Sequence, residues 1–207
     1  MPLLLPVLVR GINNLSDARY CAGMGADGLI FTLDPSLSGA VDAATVKELA
    51  GWVSGVELIG EFGNMPATEV NRLVAECGLN RVFLNLKLSD PWPTEPLSVA
   101  ALVKIPQMVA ADGTFNPETV TKLRPLLPAG FEFVILTPTD QPSTVELYTA
   151  AARMYPLWLS GSVDQAWAQK LAIEVQPAGL ILNGGDEIKP GLRDFTELEA
   201  IFEALEE

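Results

Sequence analysis

Histidine is absent from the 207 residues of this chain. That removes Ser-His-Asp and Cys-His catalysis, imidazole metal sites and the commonest general base together. Proton transfer or nucleophilic attack must fall to carboxylates, lysine, tyrosine, cysteine or the backbone. Cys21 and Cys77 are the only cysteines, each within a stretch of helical pattern. Two thiols make neither a disulfide framework nor a zinc-ligand set, so no metal is expected and a reducing cytoplasm fits. The other residues to examine are polar ones just after apolar runs, among them Asp186 and Glu187 after the last. Each also has a structural reading. Arg10 suits a partner of inward carboxylates such as Glu57 or Glu61 in a polar layer, and Asp140 suits a loop or cap. Asp186 and Glu187 suit a ligand hydroxyl but oppose an anion beside them. Trp92, Trp158 and Trp167 read as packing residues, since no stacking motif surrounds them.

These residues take their positions from short β-rich apolar runs alternating with stretches of helical period, the pattern of repeated βα units around a parallel sheet. Strands are expected at 6–10, 27–32, 55–60, 80–85, 107–111, 131–136, 156–159 and 178–182, and their continuous apolar character suits burial on both faces. Helices are expected at 15–25, 42–52, 66–77, 97–103, 116–126, 143–154, 163–175 and 194–205, with Asn14, Asp42, Asn116, Ser143 and Asp194 as N-cap candidates. Pro91, Pro93 and Pro96 disturb the start of the fourth helix and imply an extended loop and a shortened helix there. Eight units without a glycine-rich dinucleotide fingerprint after the first strand favour a closed (β/α)8 TIM barrel over an open doubly wound sheet. In that fold the functional surface lies at the C-terminal ends of the strands.

Apolar residues make up 49% and charged residues 19% of the chain, with Gly and Pro dispersed, so one domain spanning 1–207 is expected. The formal charge of −13, from 13 basic and 26 acidic residues, excludes a polybasic surface for nucleic acid or anionic membrane. The apolar start Leu3-Leu4-Leu5-Pro6-Val7-Leu8-Val9 is far shorter than the ~20 residues of a membrane span and reads as a buried first strand.

The segment Val9-Arg10-Gly11-Ile12-Asn13-Asn14-Leu15-Ser16-Asp17-Ala18 resembles the start of phosphoribosylanthranilate isomerases, whose first strand ends Lys-Ile-Cys-Gly-Ile-Thr. The likeness continues through Ala22-Gly23-Met24-Gly25-Ala26-Asp27. It returns at Leu159-Ser160-Gly161, Val175-Gln176-Pro177, Asn183-Gly184-Gly185-Asp186-Glu187 and Pro190-Gly191-Leu192-Arg193-Asp194. The resemblance implies an Amadori rearrangement of a phosphorylated aminosugar in tryptophan biosynthesis. A carboxylic acid protonates the ring oxygen, and a thiolate removes the proton from the adjacent carbon. It places Arg10 at the base position, where a guanidinium cannot accept a proton, and Thr137 at the acid position, with Asp140 three residues on. It also sets Phe83-Leu84-Asn85-Leu86 against a Gln-Leu-His-Gly block and Gly39 against an arginine, and it shortens the loop after strand six to Asp140-Gln141-Pro142-Ser143. A phosphate cradle is retained at Ser160, Gly161, Ser162, Asn183, Gly184 and Gly185, where backbone amides and a helix N-terminus hold an anion by geometry. The same glycines also serve as tight βα turns. Weak or lost activity follows, with a non-catalytic phosphosugar-binding or interaction barrel as the alternative. The expected partner is a small phosphorylated sugar or inorganic phosphate, with no cofactor, in a monomer or homodimer.

Overall fold

The computed structural model describes residues 3–86, 95–104, 121, 123–136, 142–184, 186–189 and 192–206. Eight parallel strands close into a barrel in sequence order: β1 Val7–Arg10, β2 Gly28–Thr32, β3 Glu57–Phe62, β4 Arg81–Asn85, β5 Ala100–Lys104, β6 Phe131–Leu136, β7 Leu157–Ser160 and β8 Gly179–Asn183. The pairing register, followed round the ring and back to β1, closes with a stagger of eight residues, the shear of a TIM barrel. The described helices are α1 Leu15–Gly23, α2 Ala43–Ala50, α3 Ala67–Cys77, α4 Pro142–Met154, α5 Gln165–Lys170 and α6 Thr196–Leu205. A π-helical turn, Leu171–Val175, extends α5.

Local sequence explains the helix starts. Asn14 and Asp42 accept from the amides of Asp17 and Thr45, as expected of caps, and Asp164 does the same for Trp167. Asp194 caps α6 from just outside it, accepting from the Thr196 amide at 2.9 Å. Asn116 lies outside the described residues, as does the Ser143 side chain.

Two expectations need correction. Residues 97–103 do not form a helix: Ala100–Lys104 is the fifth strand, pairing with β4 and β6. The apolar run at 107–111, expected as that strand, lies outside the described residues. The final connection also departs from simple βα form, because Asp186–Lys189 and Leu192–Asp194 pair as an antiparallel hairpin, β9 and β10, before α6.

Strand alternation divides the core in two. Leu8, Ile30, Ile59, Phe83, Leu102, Val134, Trp158 and Ile181, one from each strand, fill the barrel interior. The intervening residues, such as Val7, Val9, Leu29 and Phe31, join the larger cluster beneath the helices. At the N-terminal end the interior closes on charge. Arg81 pairs with Glu57 and lies 3.5 Å from Glu132, whose carboxylate accepts from the Trp158 indole. Gly28 and Gly179 leave the room that this floor needs: a Cβ on Gly179 would meet Trp158 Cζ3 at 2.2 Å.

Candidate functional site at the barrel mouth

Two residues beyond the apolar interior layer, the same alternation turns Arg10, Thr32, Glu61, Asn85, Lys104, Leu136, Ser160 and Asn183 toward the barrel axis at the C-terminal ends of the strands. Glu61 is the anchor of this layer. It is fully buried, and it accepts from Arg10 Nε at 2.7 Å and Nη2 at 2.6 Å in a bidentate fork. Thr32 Oγ1 donates to it at 3.0 Å, and Asn85 Nδ2 approaches at 3.4 Å. A buried carboxylate requires such compensation. Of the two carboxylates expected to face Arg10, Glu61 does so. Glu57 lies at the opposite end of β3 and serves Arg81 instead.

Lys104 completes the charged part of the ring. Burial first, then the Arg10 guanidinium, push its ammonium below the ordinary value of 10.5, against the pull of Glu61. Sequence reasoning missed this residue because it placed the fifth strand too late. The available signal was the run Ala100-Ala101-Leu102-Val103 ending in a lysine. Asp34 was missed too. It accepts from the Ser36 amide and hydroxyl at 2.9 and 2.7 Å and from the Gly63 amide at 2.9 Å, tying the loop after β2 to the end of β3.

The other candidates fall into two groups. Thr137, Asp140 and Gly185 lie outside the described residues. Gly161, Ser162, Asn183 and Gly184 come together along a cleft of about 250 Å³ between the ends of β7 and β8 and the start of α6. The Gly184 amide donates to the Arg10 carbonyl at 2.7 Å, joining this cleft to the mouth layer. Gly161 has φ of 149°, a value that favours glycine. Ser160 is buried and belongs to the inward layer.

The cleft also contains acids that the sequence reading did not assign to it. Asp194 and Glu197 line it. Hydrogen bonds from the Thr196 hydroxyl, then its amide, hold the Asp194 carboxyl below its ordinary value, so it is ionised at neutral pH. Glu197 and Glu199 occupy the first turn of α6, where they already complement the positive end of the helix dipole. The N-terminus of α6 turns the positive end of its dipole toward this cleft, while the Gly184 amide is already engaged by the Arg10 carbonyl and the adjacent carboxylates oppose an anion.

No family model matches the chain. Among curated proteins, it is 24% identical over 212 residues to N-(5'-phosphoribosyl)anthranilate isomerase of Trichormus variabilis, covering 96% of this chain and 97% of the relative. It is 22% identical over 214 residues to the enzyme of that name from Chlorobium phaeobacteroides, covering 98% of each. Among solved structures, phosphoribosylanthranilate isomerase from Thermotoga maritima, in a form described as monomers of a dimeric enzyme, superposes with a TM-score of 0.72 at 21% identity, covering 97% of this chain and 98% of that one. Another isomerase structure, holding reduced 1-(o-carboxyphenylamino)-1-deoxyribulose 5-phosphate, superposes at 0.67 with 21% identity and the same coverage. Along almost its whole length the chain is similar in sequence to phosphoribosylanthranilate isomerases, and it shares the closed barrel of those solved structures.

Proposed function

We propose that this barrel binds a small phosphorylated sugar or aminosugar at its mouth and carries out the isomerisation of its relatives weakly or not at all. The observation that carries this reading is the Arg10–Glu61 fork. The resemblance assigns the proton-abstracting base to the position of Arg10. A guanidinium cannot accept that proton, and here its Nε and Nη2 both donate to a buried carboxylate. The cleft beside Gly161, Ser162 and the start of α6 is where a phosphate group would sit on this reading, and the ligand held by one of the related structures is a sugar phosphate of this kind. The carboxylates of Asp194 and Glu197 favour a second reading, a non-catalytic barrel whose cleft holds phosphate poorly and whose role is interaction. The protein is placed in the cytoplasm, as a monomer or homodimer, on the same reading.

The test is turnover of N-(5'-phosphoribosyl)anthranilate by the purified protein. General acids and bases each contribute about 10²–10⁴-fold, so a rate several orders of magnitude below a working isomerase is expected. Robust turnover, or rescue of a tryptophan-requiring strain lacking its own isomerase, overturns the reading. Restoring a thiol is informative only if Glu61 changes with it, because Arg10→Cys alone strands a buried carboxylate. Arg10→Cys with Glu61→Gln and Thr137→Asp is the appropriate gain-of-function variant, and its effects should be non-additive.

A further inference from the structure

Lys104 ends β5 two residues beyond Leu102, a fully buried member of the barrel interior, and its side chain therefore faces the same axis. Its register neighbour is Asn85, the residue whose amide approaches Glu61. Among the described residues Glu61 is the acid that acts on Lys104, yet its two oxygens already receive Arg10 Nε and Nη2, Thr32 Oγ1 and Asn85 Nδ2. A carboxylate so engaged has little capacity left for an ammonium group. The Lys104 amine thus stands on a rigid strand end, half-buried, beside a fixed guanidinium and an already committed acid.

We propose that the mouth takes a small aldehyde or ketone, such as the open-chain form of a sugar, and joins it covalently to Lys104 Nζ as an imine. The nitrogen lone pair adds to the carbonyl carbon, and the carbon–oxygen π electrons become an alkoxide that takes up a proton from the nitrogen. The carbinolamine then loses water as the lone pair forms the C=N bond, so amine plus carbonyl gives imine plus water. This requires the neutral amine. Burial and the neighbouring Arg10 charge both favour that form over the ammonium, the combination that activates lysines toward carbonyls. The inference rests on the reading that the mouth admits a sugar-like molecule, but not on phosphate recognition or isomerase activity.

Borohydride reduction tests it, because hydride transfer to the imine carbon leaves a stable secondary amine detectable by peptide mass mapping. The full chain is incubated with D-glyceraldehyde or with D-ribose 5-phosphate at about pH 7.5 and then reduced. A lowered ammonium pKa enlarges the neutral, reactive fraction of an amine, so labelling of Lys104 above that of Lys47 and Lys170 is expected. Lys104→Arg, which keeps the charge, should lose that label while retaining the circular dichroism spectrum. Lys104→Met provides a second folded control. Equal labelling of Lys47, Lys104 and Lys170, or undiminished total labelling in Lys104→Arg, overturns the imine and leaves the phosphosugar reading untouched. Labelling of Lys104 by glyceraldehyde but not by ribose 5-phosphate supports the imine and counts against the phosphosugar reading.

Discussion

Replacing Arg10 by methionine keeps most of the side-chain stem and removes the guanidinium from Glu61. The carboxylate it leaves behind has no exposed surface, and it loses contacts of 2.7 and 2.6 Å, retaining Thr32 at 3.0 Å and Asn85 at 3.4 Å. Removing one partner of a buried pair costs about 3–5 kcal/mol. The Arg10 side chain is 30% exposed, so solvent screens part of the interaction and the lower end, about 3 kcal/mol, is expected. For a chain of this length each kcal/mol lowers Tm by roughly 2–4 °C, which gives a fall of roughly 6–12 °C. The companion is Arg10→Met with Glu61→Leu. It removes both charges and leaves only the neutral donors of Thr32 and Asn85 without their acceptor, at about 1 kcal/mol. Urea unfolding followed by circular dichroism and tryptophan fluorescence measures the cycle. The double variant should be more stable than Arg10→Met alone by about 2 kcal/mol. A loss below about 1 kcal/mol in the single variant, or a double variant as unstable as the two singles added, would refute the view that Arg10 chiefly compensates Glu61.

Further expectations concern other parts of the barrel. Gly179→Ala would bring a Cβ to 2.2 Å from Trp158 and 2.6 Å from the Pro6 carbonyl, so a loss of about 1–3 kcal/mol in urea is expected; an unchanged midpoint would show that the floor yields. At Asp34 burial raises the carboxyl pKa, but hydrogen bonds from Ser36 and Gly63 outweigh it and hold the group below its ordinary value of 3.8. Such a group contributes stability above the unfolded value that is lost as pH falls through the folded value, so Asp34→Asn should flatten the stability profile below about pH 4, and an unaltered acid limb would contradict this. Glu197→Gln removes a charge from the cleft, and with about 1 kcal/mol of repulsion at ~4 Å in water it should tighten inorganic phosphate binding roughly fivefold by calorimetry; unchanged binding would place the anion elsewhere. Burial, then Asp17, pushes the Cys21 thiol up to about 12, so iodoacetamide at about pH 8 should label it in urea and not in the folded protein, a result that native-state alkylation would reverse.

The barrel was legible from the sequence because its strands are apolar runs long enough to be recognised without tertiary information, as Gly28–Thr32 and Phe131–Leu136 illustrate. Residues 97–103 failed for a specific reason. The segment contains Ala100-Ala101 and Leu102, which suit a helix as well as a strand, and only pairing with Arg81–Asn85 and Phe131–Val134 decides between them. That displacement hid Lys104 from the mouth. Arg10 and its partnership with an inward carboxylate were visible because strand alternation after Leu8 fixes which way Arg10 faces. The choice of Glu61 over Glu57 was not, since both lie on the inward face of β3 and only the direction of the strand within the closed barrel separates mouth from floor. The acids of the cleft, Asp194 and Glu197, reach it through the β9–β10 hairpin, a connection without a periodic signature in so few residues.

The period-two alternation that carries all eight mouth positions makes the two kinds of segment unequal as raw material for change. Deleting a single residue within β1 would exchange Arg10 for one of its neighbours at the axis, turning a Val toward water and a charge toward the helices, and the same inversion would follow in any other strand. Connections between strands carry no such parity and tolerate changes in length far better. New chemistry at this mouth is therefore accessible by exchanging one inward side chain for another at fixed chain length, whereas growth and shrinkage of the protein are confined to the segments between strands.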